Sequence, residues 1–159
     1  MRVIEASFKT CLQTLEVKTS QAPQFIDITD RVSEAVTSSE VRNGMVCVFS
    51  KHTTTAIVIQ ENEPLLMTDL ASFVERLAPR GAHYRHNDFS VRTVHMHEDE
   101  CPNGHSHCQH LILGGSETIP VVDGAMSLGQ WQRIFAVELD ADKAIQIDSR
   151  QVIVQIMGV

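Results

Sequence analysis

Five of the chain's eight histidines and two of its four cysteines fall in one sixteen-residue stretch, His95 to His110. Imidazole and thiolate are the side chains that best hold zinc and related divalent metals. His83 and His86 lie just upstream, and His52 opens a Thr-rich segment. The pool reads as a metal or acid–base site. It does not match a structural-zinc template, because no Cys-x-x-Cys pair is present, only Cys101 and Cys108 with histidines between them. An open site of two or three imidazoles with a free position fits better. The plain alternative is a set of polar loop residues.

Other segments carry groups that suit such a site. His52-Thr53-Thr54 follows an apolar run, where side chains project from a rigid strand, and its hydroxyls and backbone N–H groups suit an anion. An exposed strand end explains the same residues equally well. Glu61 is placed to orient an imidazole, or simply to favour a helix N-terminus. Tyr84-x-His86-x-Asp88 puts an imidazole near a carboxylate, a pairing that sets tautomer and basicity. In Asn103-Gly104-His105-Ser106-His107 the two histidines share a face on a strand and diverge on a helix. If a helix starts near Ser106, His107 is the better site residue, since it opens the apolar run. Ser116, after Gly114-Gly115, offers a hydroxyl to an anion or belongs to an ordinary turn. Trp131 and Gln132 follow a glycine turn, where a Trp serves more often in a core or an interface than as a binding platform. Walker, nucleophile-elbow and dinucleotide motifs are absent.

The elements that must position these groups are legible from periodicity. The 159 residues suffice for one domain, spanning 1–159, with 43% apolar residues. A net charge of −7 argues against nucleic acid as a partner. No apolar run is long enough to span a bilayer, and Met1 to Glu5 opens no signal-peptide core. Irregularly spaced cysteines, with Cys47 expected to be buried, fit reduced thiols in the cytoplasm. Strands are expected over 7–17, 45–49, 55–59, 118–122, 131–139 and 151–157. A helix spans Val32, Ala35, Val36 and Ser39, capped by Thr29 or Asp30 and stopped at Asn43-Gly44. A second starts at Pro64 and carries Leu66, Leu70, Phe73, Val74 and Leu77. Residues 80–106 lack periodicity, and one or two helical turns follow from His107 to Leu113. The fold class is α+β: a mainly antiparallel β-sandwich with two to three covering helices.

Taken together, His52-Thr-Thr-Thr-Ala-Ile-x-Ile-x-Glu61, Tyr84-x-His86, Asn103-x-x-Ser-His107, Leu113-Gly-Gly-Ser116, Ile119-Pro-Val-Val-Asp-Gly124, Leu128-Gly-Gln-Trp-Gln132 and Glu138-Leu-Asp140 resemble, in order, the YjbQ-like proteins. Each motif is modest, the ordered set is specific, and it runs from about residue 7 to the C-terminus. The resemblance implies an α+β sandwich, a homotrimer, and a pocket close to subunit boundaries. It implies His52, His86 and His107 as the recurrent histidines, with Glu61, Asp69, Asn103, Ser116, Trp131, Gln132 and Glu138 at other recurrent positions. It leaves His83, His95, His97, His105 and His110 as incidental. The stretch Asp142 to Arg150 is longer than the short turn of relatives, which bears on any arginine contact there.

The implied activity is that of a thiamine-phosphate synthase, joining a pyrimidine diphosphate to a thiazole phosphate. Three imidazoles suit zinc better than magnesium, which favours oxygen ligands. The expectation is therefore an enzyme for a small phosphorylated or heterocyclic substrate. His52, His86 and His107 hold a divalent metal, zinc first, and with Glu61 form the catalytic set. Thr53, Thr54, Asn103, Ser116, Trp131 and Gln132 bind substrate. Synthase chemistry is then a side activity, or the reaction is a zinc-assisted hydrolysis. The alternative is a non-catalytic trimeric ligand-binding or scaffold protein.

Overall fold

The computed structural model describes residues 7–146, the Gln146 side chain apart, and 149–159. Met1 to Glu5, and Ile147 and Asp148 of the long stretch before Arg150, lie outside the described residues. Alternating polar and apolar residues make β1 (Lys9–Val17), and β2 (Gln24–Asp27) follows a turn at 21–23. Helix α1 is Thr29–Ser39. Strands β3 (Gly44–Ser50) and β4 (Thr55–Gln60) flank the His52 turn. Helix α2 (Pro64–Leu77) has proline in its first turn, and Glu63 accepts the N–H groups of Leu65 and Leu66. After a single 3₁₀ turn at Arg85–Asn87 come α3 (Gly104–Leu113), β5 (Ser116–Val122), β6 (Ala125–Met126) and β7 (Arg133–Glu138). A short α4 (Ala141–Gln146) and β8 (Arg150–Gly158) complete the order.

The strands form two antiparallel sheets, ordered β1-β8-β3-β5-β6 and β2-β7-β4. Every second residue of β8 (Val152, Val154, Ile156) points inward with Val46 and Val48 of β3 and Ile119 and Val121 of β5. These meet Ile57, Ile134 and Ala136 of the smaller sheet, and α1 adds Val32, Ala35 and Val36 to the same core. Strand β7 is buried on both faces. Its alternate residues Phe135 and Val137 turn outward and pack with Ala56 under Val74 of α2 and Leu113 of α3. The architecture is the expected α+β antiparallel sandwich with covering helices, and the described residues hold four helices, the short α4 included.

Local departures have physical reasons. No Thr29 or Asp30 side chain caps α1. Asp27 accepts the Thr29 N–H, and the Thr29 hydroxyl accepts the N–H of Ile134, because β7 passes beside it. The helix ends at Glu40 in the left-handed region (φ 56°), ahead of Asn43-Gly44. Gly44 instead opens β3 where a Cβ would stand 2.1 Å from the Met157 carbonyl oxygen. Cys47 is half-buried on the outer face of the larger sheet, not buried in the core. Exposed Leu12, Met45, Phe49 and Val122 share that face by strand parity. Among the described residues no helix is long and apolar enough to cross a membrane.

Candidate functional site

At the end of the sandwich where β3 leads into β4 and β7 leads into α4, the interior closes on an ion pair. Glu138 of β7 and Arg150 of β8 both sit at inward-facing positions and meet in a fork, with Nε–Oε2 at 2.6 Å and Nη2–Oε1 at 2.7 Å. Both are buried, and Glu138 also accepts the N–H groups of Leu139 and Asp140. Arg150 reaches the Thr54 hydroxyl at 3.4 Å. One bidentate pair therefore ties together the strand exit carrying Asp140, the turn carrying His52 to Thr54, and the start of β8. Above it opens a cavity of about 560 Å³, within the range of small-molecule sites.

Packing between two distant segments explains the cavity's far wall. Asn87, in the 3₁₀ turn, accepts the N–H of Gly104 at 2.8 Å and so satisfies an orphan donor at the start of α3. A Cβ on Gly104 would stand 2.6 Å from Tyr84 Cβ, so only glycine allows the Tyr84 segment this close. That approach sets His86 against His107, ring centroids 4.7 Å apart and edge to face. Because α3 begins at Gly104, His105 and His107 diverge. His105 is buried away from the cavity beside Ser106, while His107 lines it.

His52, Thr53, Thr54, His86, Asn103 and His107 all line this one cavity. The other four sequence candidates do not. Glu61 lies at the opposite end of β4, about 20 Å from Thr55 at 3.3 Å per residue. Trp131 (64% exposed) and Gln132 sit at that same far end, since Arg133 pairs with Gln60. Gln132 closes its own turn by accepting the Gly129 N–H at 2.7 Å. Ser116 stands beside Phe49 on the outer face of the larger sheet.

Seven further lining residues, Lys51, Arg92, Asp99, Glu100, Asp140, Lys143 and Arg150, were not candidates, and His95 and His97 belonged only to the histidine pool. Asp140 was within reach of sequence reasoning through the Glu138-Leu-Asp140 motif. Arg92, His95, His97, Asp99 and Glu100 come from the aperiodic loop, which holds its shape by ion pairs that no periodicity announces, while Lys51, Lys143 and Arg150 come from just after β3, from α4 and from the start of β8. Arg92 forks onto Glu100 at 2.7 and 3.3 Å, Glu100 also accepts the His97 N–H, and Lys143 pairs with Asp99. His95 and His97, which the resemblance leaves as incidental, also line the cavity.

The imidazoles differ in what they have left to offer. His52 Nε2 accepts the backbone N–H of Gln151 at 2.8 Å. That bond spends its lone pair and leaves Nδ1 as the protonated nitrogen, a donor. Burial, with the nearby Arg150 charge, holds the His52 pKa below its ordinary value, so the ring stays neutral. This departs from the expectation of three metal ligands. Burial also lowers His107, helped by the charge of His86. Among the described residues neither the His86 nor the His107 ring makes a side-chain hydrogen bond, which leaves their nitrogens available as ligands, though neither ring belongs to a group of three close ligating atoms. Beneath Asn103, burial and the neighbouring Asp140 carboxylate push the Cys101 thiol up to about 11.

A family model described as "UPF0047 protein YjbQ-like" matches residues 13–159. The chain belongs to the YjbQ-like family. A UPF0047 protein of Methanothermobacter thermautotrophicus is 43% identical over 131 residues, covering 82% of this chain and 84% of that protein. A UPF0047 protein of Archaeoglobus fulgidus is 37% identical over 133 residues, covering 84% and 94%. Among solved structures, a YbjQ-like protein of unknown function from Sulfolobus solfataricus superposes with a TM-score of 0.84 at 30% identity, covering 96% of this chain and 100% of that one. A hypothetical protein from Aeropyrum pernix K1 gives 0.74 at 32% identity, covering 95% and 99%. The YjbQ-like fold is therefore shared along nearly the whole chain.

Proposed function

We propose that this cavity is the active site of an enzyme for a small phosphorylated or heterocyclic substrate, assisted by a divalent metal, zinc first. The observation that carries the reading is the convergence of His52, His86 and His107, from three separate segments, on one cavity with His86 against His107. His86 and His107 hold the metal, which when bound supplies Lewis acidity and a readily ionised water. His52 donates from Nδ1 to a substrate oxygen, its orientation fixed by the Gln151 N–H. Thr53 and Thr54 offer hydroxyls, and Arg150, its charge matched by Glu138, steadies the Thr54 hydroxyl from beneath. Asn103 orients the Asp140 carboxylate on the opposite side.

Paired imidazoles favour zinc over magnesium, and with it hydrolysis as the main reaction. Coupling a pyrimidine diphosphate to a thiazole phosphate then belongs to the same site as a side activity. Metal analysis of the purified chain should find near-stoichiometric transition metal, and His107→Ala should lose both the metal and turnover of phosphate esters or of the coupling pair. Full metal and full turnover in His107→Ala would sink the reading.

The chain assembles as a homotrimer in this proposal. Exposed Leu12, Met45, Phe49 and Val122 lie on one face of the larger sheet, where large apolar side chains suit a contact between subunits, as does exposed Trp131. Light scattering should give three times the 17.7 kDa chain mass, and Phe49→Asp should lower it. A monomeric wild type would end the trimer proposal while leaving the cavity assignment to its own test.

A further inference from the structure

At the cavity wall lies a group of ligating atoms that shares only Asp140 with the histidine site. Cys101 Sγ and oxygens of Asp140 and Asp142 lie within 4.8 Å of one another, the only such trio of His, Cys or acidic groups among the described residues. Asp140 is 1% exposed, yet among the described residues it makes no ion pair. Its partners are the Asn103 amide at 2.7 Å, the Lys143 backbone N–H at 3.1 Å and the Cys101 thiol at 3.7 and 3.8 Å. The nearby Lys143 ammonium is turned to Asp99, and Arg80 takes only Asp142 Oδ1, at 3.1 Å. A buried carboxylate without a cation is costly unless a metal or proton compensates it.

A second observation comes from Asn103. Asn103, 8% exposed, has its amide pressed against the same Asp140 carboxylate, and among the described residues its buried Oδ1 has no hydrogen-bond partner. A native structure rarely leaves such an oxygen idle. A cation lodged beside Asp140 supplies the positive charge its carboxylate lacks, and Asn103, held against that carboxylate by its amide nitrogen, is the neighbour with an acceptor to spare.

We propose that Cys101, Asp140 and Asp142, with the Asn103 amide oxygen, form a second cation site, specific for a borderline-soft divalent ion such as zinc, cobalt or cadmium. The thiol selects against magnesium and calcium, which favour all-oxygen ligands. Binding replaces the thiol proton with the metal and releases that proton to solvent. Asp140 lines the histidine cavity on one side and faces Cys101 on the other, so the bound ion stiffens the floor beneath His107 without entering the cavity.

Cobalt(II) titration of the full chain tests this, because a coordinated thiolate gives a near-ultraviolet charge-transfer band that imidazole and carboxylate do not. The wild type should show the band, and Cys101→Ala should lose it while Cys108→Ala keeps it. His107→Ala should also keep it, which separates this site from the histidine-bound metal. If Cys101→Ala does not fold, Asp142→Asn decides, with an expected loss of cobalt affinity of about tenfold or more and an unchanged far-ultraviolet spectrum. No band in the wild type, a band that survives in Cys101→Ala, or unaltered cobalt affinity in Asp142→Asn overturns the proposal.

Discussion

A histidine's role is set by which of its nitrogens the backbone has already claimed, and sequence does not record that. His52, His86 and His107 look interchangeable as letters. Only the Gln151 N–H, ninety-nine positions away, turns His52 from a ligand into a donor. The cysteines show the same dependence on surroundings. Cys101 and Cys108 bracket His105 and His107 in sequence, yet Cys101 is buried beside Asp140 and Cys108 is exposed on α3. With metal stripped by chelator, iodoacetamide near neutral pH should therefore label Cys108 well before Cys101, whose thiol is pushed up to about 11 by burial and by Asp140. Peptide mass spectrometry reads the order, and equal labelling rates would contradict the burial described here.

Elements were legible where a period runs on, and illegible where ion pairs replace it. Strands β1, β3, β4, β5, β7 and β8 follow from alternation and from apolar runs bounded by turns, and α2 from its three-four spacing after Pro64. The loop from Pro79 to Asn103 offers no period, because its shape rests on Arg92–Glu100, Lys143–Asp99 and the Asn87 cap. For the same reason the sequence pooled His95 and His97 with the other histidines but gave them no role of their own, although they line the cavity with His86 and His107. The far-end placement of Glu61, Trp131 and Gln132 escaped notice because motif order carries no information on which end of a strand a residue occupies. The close pass of Tyr84 over α3 makes a sharp test at this scale. Gly104→Ala puts a Cβ 2.6 Å from Tyr84 Cβ, a backbone-rooted clash that must move one segment. Overpacking of this kind costs about 1–3 kcal/mol, and here it parts His86 from His107. The variant should fold with a lowered urea midpoint and lose metal affinity. Wild-type affinity in Gly104→Ala would mean that the pair needs no such registration.

The whole molecule stores several neutral imidazoles inside a chain of net charge −7, and that combination fixes how it responds to acid. His52, His105, His107 and His110 all have pKa values lowered from 6.5, with burial the largest cause in each. For each group the unfolded chain binds a proton more readily than the folded one between the lowered value and 6.5. Stability contributed by these groups is therefore fully present above 6.5 and is lost as pH falls through the folded values. The slope is at most about 1.4 kcal/mol per pH unit for each proton by which the states differ. The acidic groups act lower down: Glu63 and Asp88, held below 4.5 and 3.8 by hydrogen bonds to their carboxylates, contribute stability that is lost only as pH falls beneath those values. Urea melts of chelator-treated protein should thus show a first decline beginning near 6.5, separated from a second in the carboxylate range. His105→Gln, which removes a buried imidazole outside the cavity, should shallow the first decline and leave the second alone. A flat profile between about pH 7 and pH 5, or an unchanged slope in His105→Gln, would mean that these rings reach water far more freely than their burial implies.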